Sequence, residues 1–532
     1  MNIVAQEVEV LTSAVMGLTV GCARCHDHKY DPISQRDHYR LSAILQGAYD
    51  PYEWKNPKMR ELPITSEAER KEMDAYNAPF QAKLQRLQEE TRVLTESFRK
   101  RAVDESIAAL PDEERNLVRA AADTPAARRT ADQVALAQKH AAILTVDDRT
   151  LAQRFSEFRD KSQELQKQTA EVRGKVRANP HVRVLTDNAE PSVPYLLRRG
   201  DPTNFGEPVD AGVPRVLENA ALKPYQIVSP FPGTSGRRLA LAQWLTQPNH
   251  PLTARVAVNQ LWLRHFGRGI VPTVANFGKS GLPPTHPELL DWLATEFVAR
   301  GWSMKAMHRL MVTSDAYRQS SRVVESVRAA DPENELLSRM PLRRMDAETL
   351  YDSLVSVAGR LDPTLYGHPG ELNISADKEV TAKPTDIGYR RGIYAVHRRQ
   401  TPMSLLEAFD QPAMTPNCTE RRQSNVSTQA LHMMNSAMTW DLARYLAGRV
   451  VDQAPTDINK QIEILYLRTF TRRPTMEEIS LGRQALESFR KQWREKLDKE
   501  NGPEPRGGNG AWLAVANYVH ALLNSAEFSF ID

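Results

Sequence analysis

Apolar positions recur at three- and four-residue steps over most of this chain, which is the spacing of helices that bury one face. A short helix is predicted over residues 5–20, loosened at its end by Gly17 and Gly21, and a second over 35–46 after the Asp31-Pro32 turn. Residues 66–178 differ in kind. They are rich in Glu, Gln, Lys, Arg and Ala, with Leu84, Leu87, Leu94 and Phe98 as an apolar seam answered by Leu151, Phe155, Phe158 and Leu165. Breaks near Pro111 and Pro125 divide the stretch, and the pattern predicts an exposed helical hairpin or short coiled coil. From 179 to 236 Pro and Gly are frequent, with β-like runs at Val182–Leu185 and Val193–Leu197. Helical periodicity returns at 238–247, 252–266, 286–300, 303–318, 345–360, 426–449, 457–470, 475–495 and 511–525. Residues 362–425 read as loops with one strand at Gly392–Val396, and 501–510 as a Gly/Pro-rich loop. The fold class is mainly α. The domain reading is a motif segment (1–62), a helical hairpin (63–180), a Pro/Gly-rich linker with short strands (181–236) and a helical C-terminal domain (237–532).

Composition narrows this picture without changing it. The chain has 532 residues, 41% hydrophobic and 26% charged, and a formal net charge of +4. That charge is small for the length and its signs are interleaved, so nucleic-acid binding is not expected. No run of eighteen apolar residues predicts a membrane span. Leu11–Val20 is apolar, but Glu7 and Glu9 precede it where a secretory signal needs basic residues, so the chain as given is expected to carry no export signal.

Three cysteines exclude a disulfide-dense scaffold, and two of them concentrate the chemistry: Cys22-Ala23-Arg24-Cys25-His26, followed by Asp27, His28 and Lys29. Two residues between the thiols set them at about the separation of the two vinyl groups of one haem, and the adjacent imidazole then reaches the iron from one face. Cys22 and Cys25 are the expected attachment points and His26 the axial ligand. Met16, Met59 and His38 are candidates for the opposite axial position, with no motif behind any of them. The competing reading is zinc held by Cys22, Cys25 and His26 or His28, with His38 as the nearest fourth ligand. A structural reading, two reduced cysteines in a helical turn, also stands.

Other constellations are weaker. Arg255 and Asn259 lie one helical turn apart beside Val258, Trp262 and Phe266, as a buried strut or part of a substrate pocket. Thr285-His286-Pro287-Glu288 reads as a helix start with Thr285 as N-cap and Glu288 as the capping-box acid; His286 and Asp291 also suit acid–base work. Asp410, Cys418, Arg421 and Arg422 fall in a loop-rich stretch. Asp410 is a catalytic candidate, while the two arginines suit a carboxylate or sulfate, or ion pairs within the domain. Cys418 reads as a buried small apolar residue, and His432-Met433-Met434-Asn435 as helix core.

The stretch Gly17 to Ile33 resembles the end of the second cytochrome-like domain of planctomycete-type cytochrome c proteins. The C-terminal half resembles the partner domain of unknown function that follows it. The resemblance rests on Asn249–Asn259, His265–Val271, Asn276–Gly278, Pro284–Leu293, Ser314–Ser321 and Leu522–Phe528. It implies an exported, periplasmic or cell-surface protein with a redox partner, encoded beside sulfatase-like and polysaccharide-degradation genes. Family members begin with a signal peptide, a cytochrome c domain and the first half of the second domain, so this sequence reads as N-terminally truncated. The expected function is c-type haem binding with electron transfer or redox chemistry in a polysaccharide-processing system. The alternatives are a hydrolase or lyase on sulfated or acidic polysaccharide, and a zinc-bearing or non-catalytic interaction scaffold.

Overall fold

In this computed structural model the described residues are 2–125, 128–229, 231–412, 418–421, 423–500 and 511–531. Helices dominate, and every sheet among the described residues is a short two-stranded one. The chain divides into two compact units, residues 55–186 and the remainder.

The N-terminal segment opens with α1 (Asn2–Leu11), which widens into a π turn at Thr12–Met16. Gly17 ends it in the left-handed conformation (φ 60°), and its amide donates to the Thr12 carbonyl. A side chain at Gly17 would meet Phe277, whose Cδ2 lies 2.7 Å from where a Cβ would stand. A 3-10 turn at Val20–Arg24 follows, then a loop, then α2 (Gln35–Gln46). A reciprocal capping box fixes the start of α2: Asp37 N donates to Ser34 Oγ, and Ser34 N to Asp37 Oδ2.

In the 55–186 unit, β1 (Glu61–Pro63) pairs antiparallel with β2 (His181–Arg183). Between them run α3 (Glu67–Ala108), α4 (Asp112–Asp123), α5 (Ala131–Lys139), α6 (Ala141–Leu144), α7 (Asp148–Arg154) and α8 (Ser156–Arg173). Phe80, Leu84 and Leu87 of α3 meet Leu165 and Val172. Phe98 and Ala102 meet Leu151, Phe155 and Phe158, so the two seams pack antiparallel. The expected breaks near Pro111 and Pro125 fall at the α3–α4 and α4–α5 boundaries, and beyond them the chain is further divided into α6, α7 and α8. Most surface pairs here are exposed, such as Arg92 with Glu89 and Glu96.

The other unit continues with β3 (Tyr195–Leu197), paired to β4 (Phe205–Pro208), then α9 (Arg237–Leu245), α10 (Thr253–Phe266), α11 (Pro287–Ala299), α12 (Met304–Val312) and α13 (Glu325–Ala330). After β5 (Arg343–Arg344) come α14 (Ala347–Val357), β6 (Leu361–Asp362), β7 (Leu372–Ile374), β8 (Val380–Ala382), β9 (Tyr389–Arg390) and α15 (Ser404–Ala408). It ends with α16 (Ser427–Asn435), α17 (Ala437–Gln453), α18 (Ile458–Thr469), α19 (Met476–Glu500), α20 (Ala511–Leu523), α21 (Ala526–Ser529) and β10 (Phe530–Ile531), which pairs with β5.

Three cores organise this unit. Val8, Met16, Leu18, Val20, Ile33, Leu41 and Ile44 pack with Val213, Leu222, Leu241 and Trp244, so the motif segment, the Pro/Gly-rich stretch and α9 share one interior. A second core joins α10, α11 and α12. The third centres on α17, where Leu442, Leu446 and Val450 recur at four-residue steps, fully buried beside Val515 and Val519 of α20. Each such side chain contributes about 1.5–3 kcal/mol by leaving water.

Several local expectations are corrected. Gly392–Tyr394 is a 3-10 turn rather than a strand, because Asp352 Oδ1 accepts the Gly392 amide at 2.6 Å and holds it curled. The single helix expected over 426–449 divides at Ser436, whose extended backbone (ψ 125°) restarts the chain as α17 and whose hydroxyl donates to Glu379. Met434 is exposed while Met433 is core. Thr285 does not cap α11: His286 occupies the N-cap position with no side-chain cap bond, and Thr285 Oγ1 donates to the Ile270 carbonyl instead. The 501–510 loop lies outside the described residues.

Candidate functional site

The cysteine–histidine motif is built on the 3-10 turn. The 3-10 turn Val20–Arg24 contains Cys22, and Cys25 is its C-cap. Both cysteines are free and exposed. The turn is pinned from beneath at the Arg24 carbonyl, which accepts from Gln35 Nε2 at 3.0 Å and from Tyr39 Oη at 3.0 Å. Gln35 Nε2 and Tyr39 Oη also reach the Leu197 carbonyl, tying α2 to β3 behind the motif. Burial pushes the Tyr39 phenol up to about 12, against a downward pull from Arg24, so it stays a donor. Gly200 must lack a side chain, because a Cβ there would stand 2.8 Å from Cys25 Sγ, and its backbone is left-handed (φ 73°).

The three nearby histidines differ sharply. His26 is exposed and engages only the neighbouring Asp27 carbonyl through Nδ1 at 2.6 Å. A carbonyl partner makes Nδ1 the donor in that contact. His28 is a buried staple: Nδ1 accepts from the Asp31 amide at 2.9 Å, and Nε2 meets Thr19 Oγ1 at 3.0 Å. His38 is buried with Nδ1 on the Val20 carbonyl, and burial depresses its pKa to about 4, with Arg24 adding to the effect and Val20 opposing it. Met16 is fully buried in the core, and Met59 is exposed in the 55–186 unit. Among the described residues no group of three or more His, Cys, Asp or Glu is placed to hold a metal ion.

The weaker candidates are mostly engaged. Asn259 is fully buried and makes a two-way bond with Val271, donating to its carbonyl at 3.0 Å and accepting its amide at 2.8 Å. Arg255 donates to Asp291 at 2.6 Å and to the Pro251 carbonyl, and its hydrogen bond holds Asp291 below the usual carboxylate range. His286 lies beside Thr285 Oγ1 at 2.9 Å in a small cleft with Trp262, Arg268 and Glu333. Burial would raise the Asp410 pKa, but donors from Ser424 and buried Arg344 outweigh it and the net shift is downward. Arg421 makes a fork to Glu348 at 2.5 and 2.9 Å. Cys418 is exposed rather than buried, its thiol directed at the Glu420 carbonyl. Arg422 lies outside the described residues.

Residue spacing alone did not single out Gln35, Tyr39 or Gly200, which shape the motif from a distance in sequence. Nor did it find the polar stripe of α14, Thr349, Asp352, Ser353 and Ser356, although its three- and four-residue steps were available as a signal.

Fold and site together define a mainly helical protein with an exposed Cys-x-x-Cys-His turn seated on the core of its larger unit. Residues 1–50 match PSCyt2, a protein of unknown function (DUF1549), and residues 237–486 match PSD1, a protein of unknown function (DUF1553). The two matches together are the planctomycete cytochrome-c-associated domain pair. No curated protein and no solved structure matches the chain. No helix among the described residues is long and apolar enough to cross a membrane.

Proposed function

We propose that Cys22 and Cys25 attach a c-type haem through thioether bonds, with His26 Nε2 as the axial ligand, and that the chain serves electron transfer. The observation that carries this reading is that these three side chains are exposed and free of structural duty, on a turn whose backbone is fixed from behind. The donor set fits the group: two free, exposed thiols three residues apart on a short turn, and an adjacent imidazole whose Nδ1 is held by a carbonyl, as ligating histidines usually are. Zinc fits less well, since His28 and His38 are both committed to backbone and hydroxyl partners. When bound, the haem would supply one-electron chemistry. The protein's part is to hold the turn that carries the two thiols and the imidazole, through the bonds of Gln35 and Tyr39 to the Arg24 carbonyl. Met16 lies buried in the core and His38 is buried with Nδ1 on the Val20 carbonyl.

The setting we propose is an exported polysaccharide-processing system with a redox partner protein, supported by the family resemblance. A hydrolytic role for Asp291 or Asp410 draws less support, because arginine-paired carboxylates of lowered pKa are poor general acids.

The test is expression with an export signal and cytochrome maturation machinery, followed by haem staining after denaturing electrophoresis. The expected outcome is a stained band for the parent chain and none for Cys22→Ala/Cys25→Ala. Equal staining of both would overturn the proposal.

A further inference from the structure

A narrow pocket opens between α1, α2 and β3, beside the motif turn. Val4 and Ala5 wall it from α1, Tyr195 and Leu197 from β3, and Pro51 and Tyr52 from the segment after α2. Tyr52 and Tyr195 both pack against Phe205, with ring centroids 6.2 and 5.4 Å from it, so the outer wall is aromatic. The buried side belongs to α2, which supplies His38, Tyr39 and Gln46.

Most donors along this pocket are already used. Tyr39 Oη donates to the Arg24 carbonyl at 3.0 Å, and Ser42 Oγ to the His38 carbonyl at 2.9 Å. Gln46 Nε2 donates to the Ser192 carbonyl at 2.8 Å, and Arg24 to Asn2 Oδ1 at 2.7 Å.

His38 is the exception. It is only 1% exposed, yet it lines the pocket. Its Nδ1 meets the Val20 carbonyl at 3.3 Å, so Nδ1 carries the proton of the neutral ring and Nε2 offers a lone pair. Nε2 has no hydrogen-bond partner among the described residues. Burial, helped by the Arg24 cation and opposed by Val20, depresses the His38 pKa to about 4, so the ring stays neutral. The Tyr39 ring stands edge-on to it at 5.1 Å and fixes its plane. A buried acceptor is rarely left unmet, and this one faces apolar and aromatic walls.

We infer that the pocket binds a small uncharged phenol, its ring against Tyr52 and Tyr195 and its hydroxyl donating to His38 Nε2. An O–H donor answers the lone pair, and a flat ring answers the aromatic wall. Neither cysteine nor His26 lines the pocket, so the site stands apart from the haem reading.

Titration calorimetry on the full chain, expressed without haem, tests it with three probes. They are 4-methylphenol, 4-methylanisole, which keeps the ring but has no hydroxyl hydrogen, and 4-methylcyclohexanol, which keeps the hydroxyl but has no aromatic ring. The phenol is expected to bind about tenfold tighter than either of the others. His38→Phe should bring the phenol down to the level of the anisole, and leave the anisole within about twofold of its parent affinity. Ala5→Leu, which fills the pocket from α1, should abolish binding of both. Because His38→Phe also gives up the Val20 bond, circular dichroism accompanies it, and the three probes on the parent chain decide the matter if it misfolds. A phenol no tighter than the anisole would overturn the role of His38, and a cyclohexanol as tight as the phenol would overturn that of the aromatic wall. Undetectable binding of the phenol, or affinity unchanged in Ala5→Leu, would overturn the site itself.

Discussion

The turn at Cys22–His26 and the loops around Asp410 and Arg421 both gather reactive residue types, yet they treat them in opposite ways. In the C-terminal domain almost every charged candidate has a partner: Asp410 with Arg344 and Ser424, Arg421 with Glu348, Arg255 with Asp291. In the motif turn the backbone and the residues behind it carry the structure, and the two thiols and one imidazole are left to solvent. A residue type suited to chemistry is therefore a poor guide until its hydrogen bonds are counted. A side chain with structural duties should cost stability when removed, and one without them should cost function alone.

The largest stability loss is expected at Asp410→Ala, which strands the buried Arg344 charge and should cost about 3 kcal/mol in urea unfolding. A change under about 1 kcal/mol would show that Asp410 is not structural. Asn259→Ala removes both bonds to the Val271 backbone within a closed core, for an expected loss of about 2–3 kcal/mol by the same measurement.

Next comes pH. His38 and His250 are buried, with pKa values depressed by burial to about 4 from an ordinary 6.5. The unfolded chain therefore binds more protons between those values. Stability is fully present above pH 6.5 and falls as pH drops through about 4, by about 2–3 kcal/mol per histidine. At His250 burial is the cause, and Nδ1 accepts the Thr253 amide at 3.1 Å, a bond that protonation of that nitrogen removes. Thermal unfolding of His250→Asn should show a shallower acid limb than the parent, and an identical limb would contradict this origin.

The exposed Arg255–Asp291 pair should matter least within the domain. Asp291→Asn is expected to change stability by less than about 1 kcal/mol. Cys22→Ala, Cys25→Ala and His26→Ala should each fall within about 0.5 kcal/mol of the parent, the range of surface changes that disturb no packing. A loss of about 2 kcal/mol in any of them would erase the contrast between the two regions.

Much of this was legible in the residues. The periodic apolar seams of 84–98 and 151–165 meet as their spacing implies, and α2 occupies the expected Gln35–Gln46. The motif stood out because its chemistry is local, within five residues. What could not be read was long-range. Nothing in the sequence ties Gly200 to Cys25 or Gln35 to Leu197, and the Pro/Gly-rich stretch gave no sign that Val213 and Leu222 complete the core under the motif. The α11 start misled because Thr285 and Glu288 have capping-box spacing, while the Ile270 carbonyl draws the Thr285 hydroxyl away. Periodicity likewise ran through Ser436, since a one-residue break barely disturbs a helical repeat of about 3.6 residues.

The most direct test of the central claim is intact-mass spectrometry of the chain exported in a host that matures c-type cytochromes, with peptide mapping across residues 17–33. The expected result is one added haem mass confined to the peptide bearing Cys22 and Cys25, absent when both are alanine. An unmodified mass, with both thiols free in the exported protein, would contradict it.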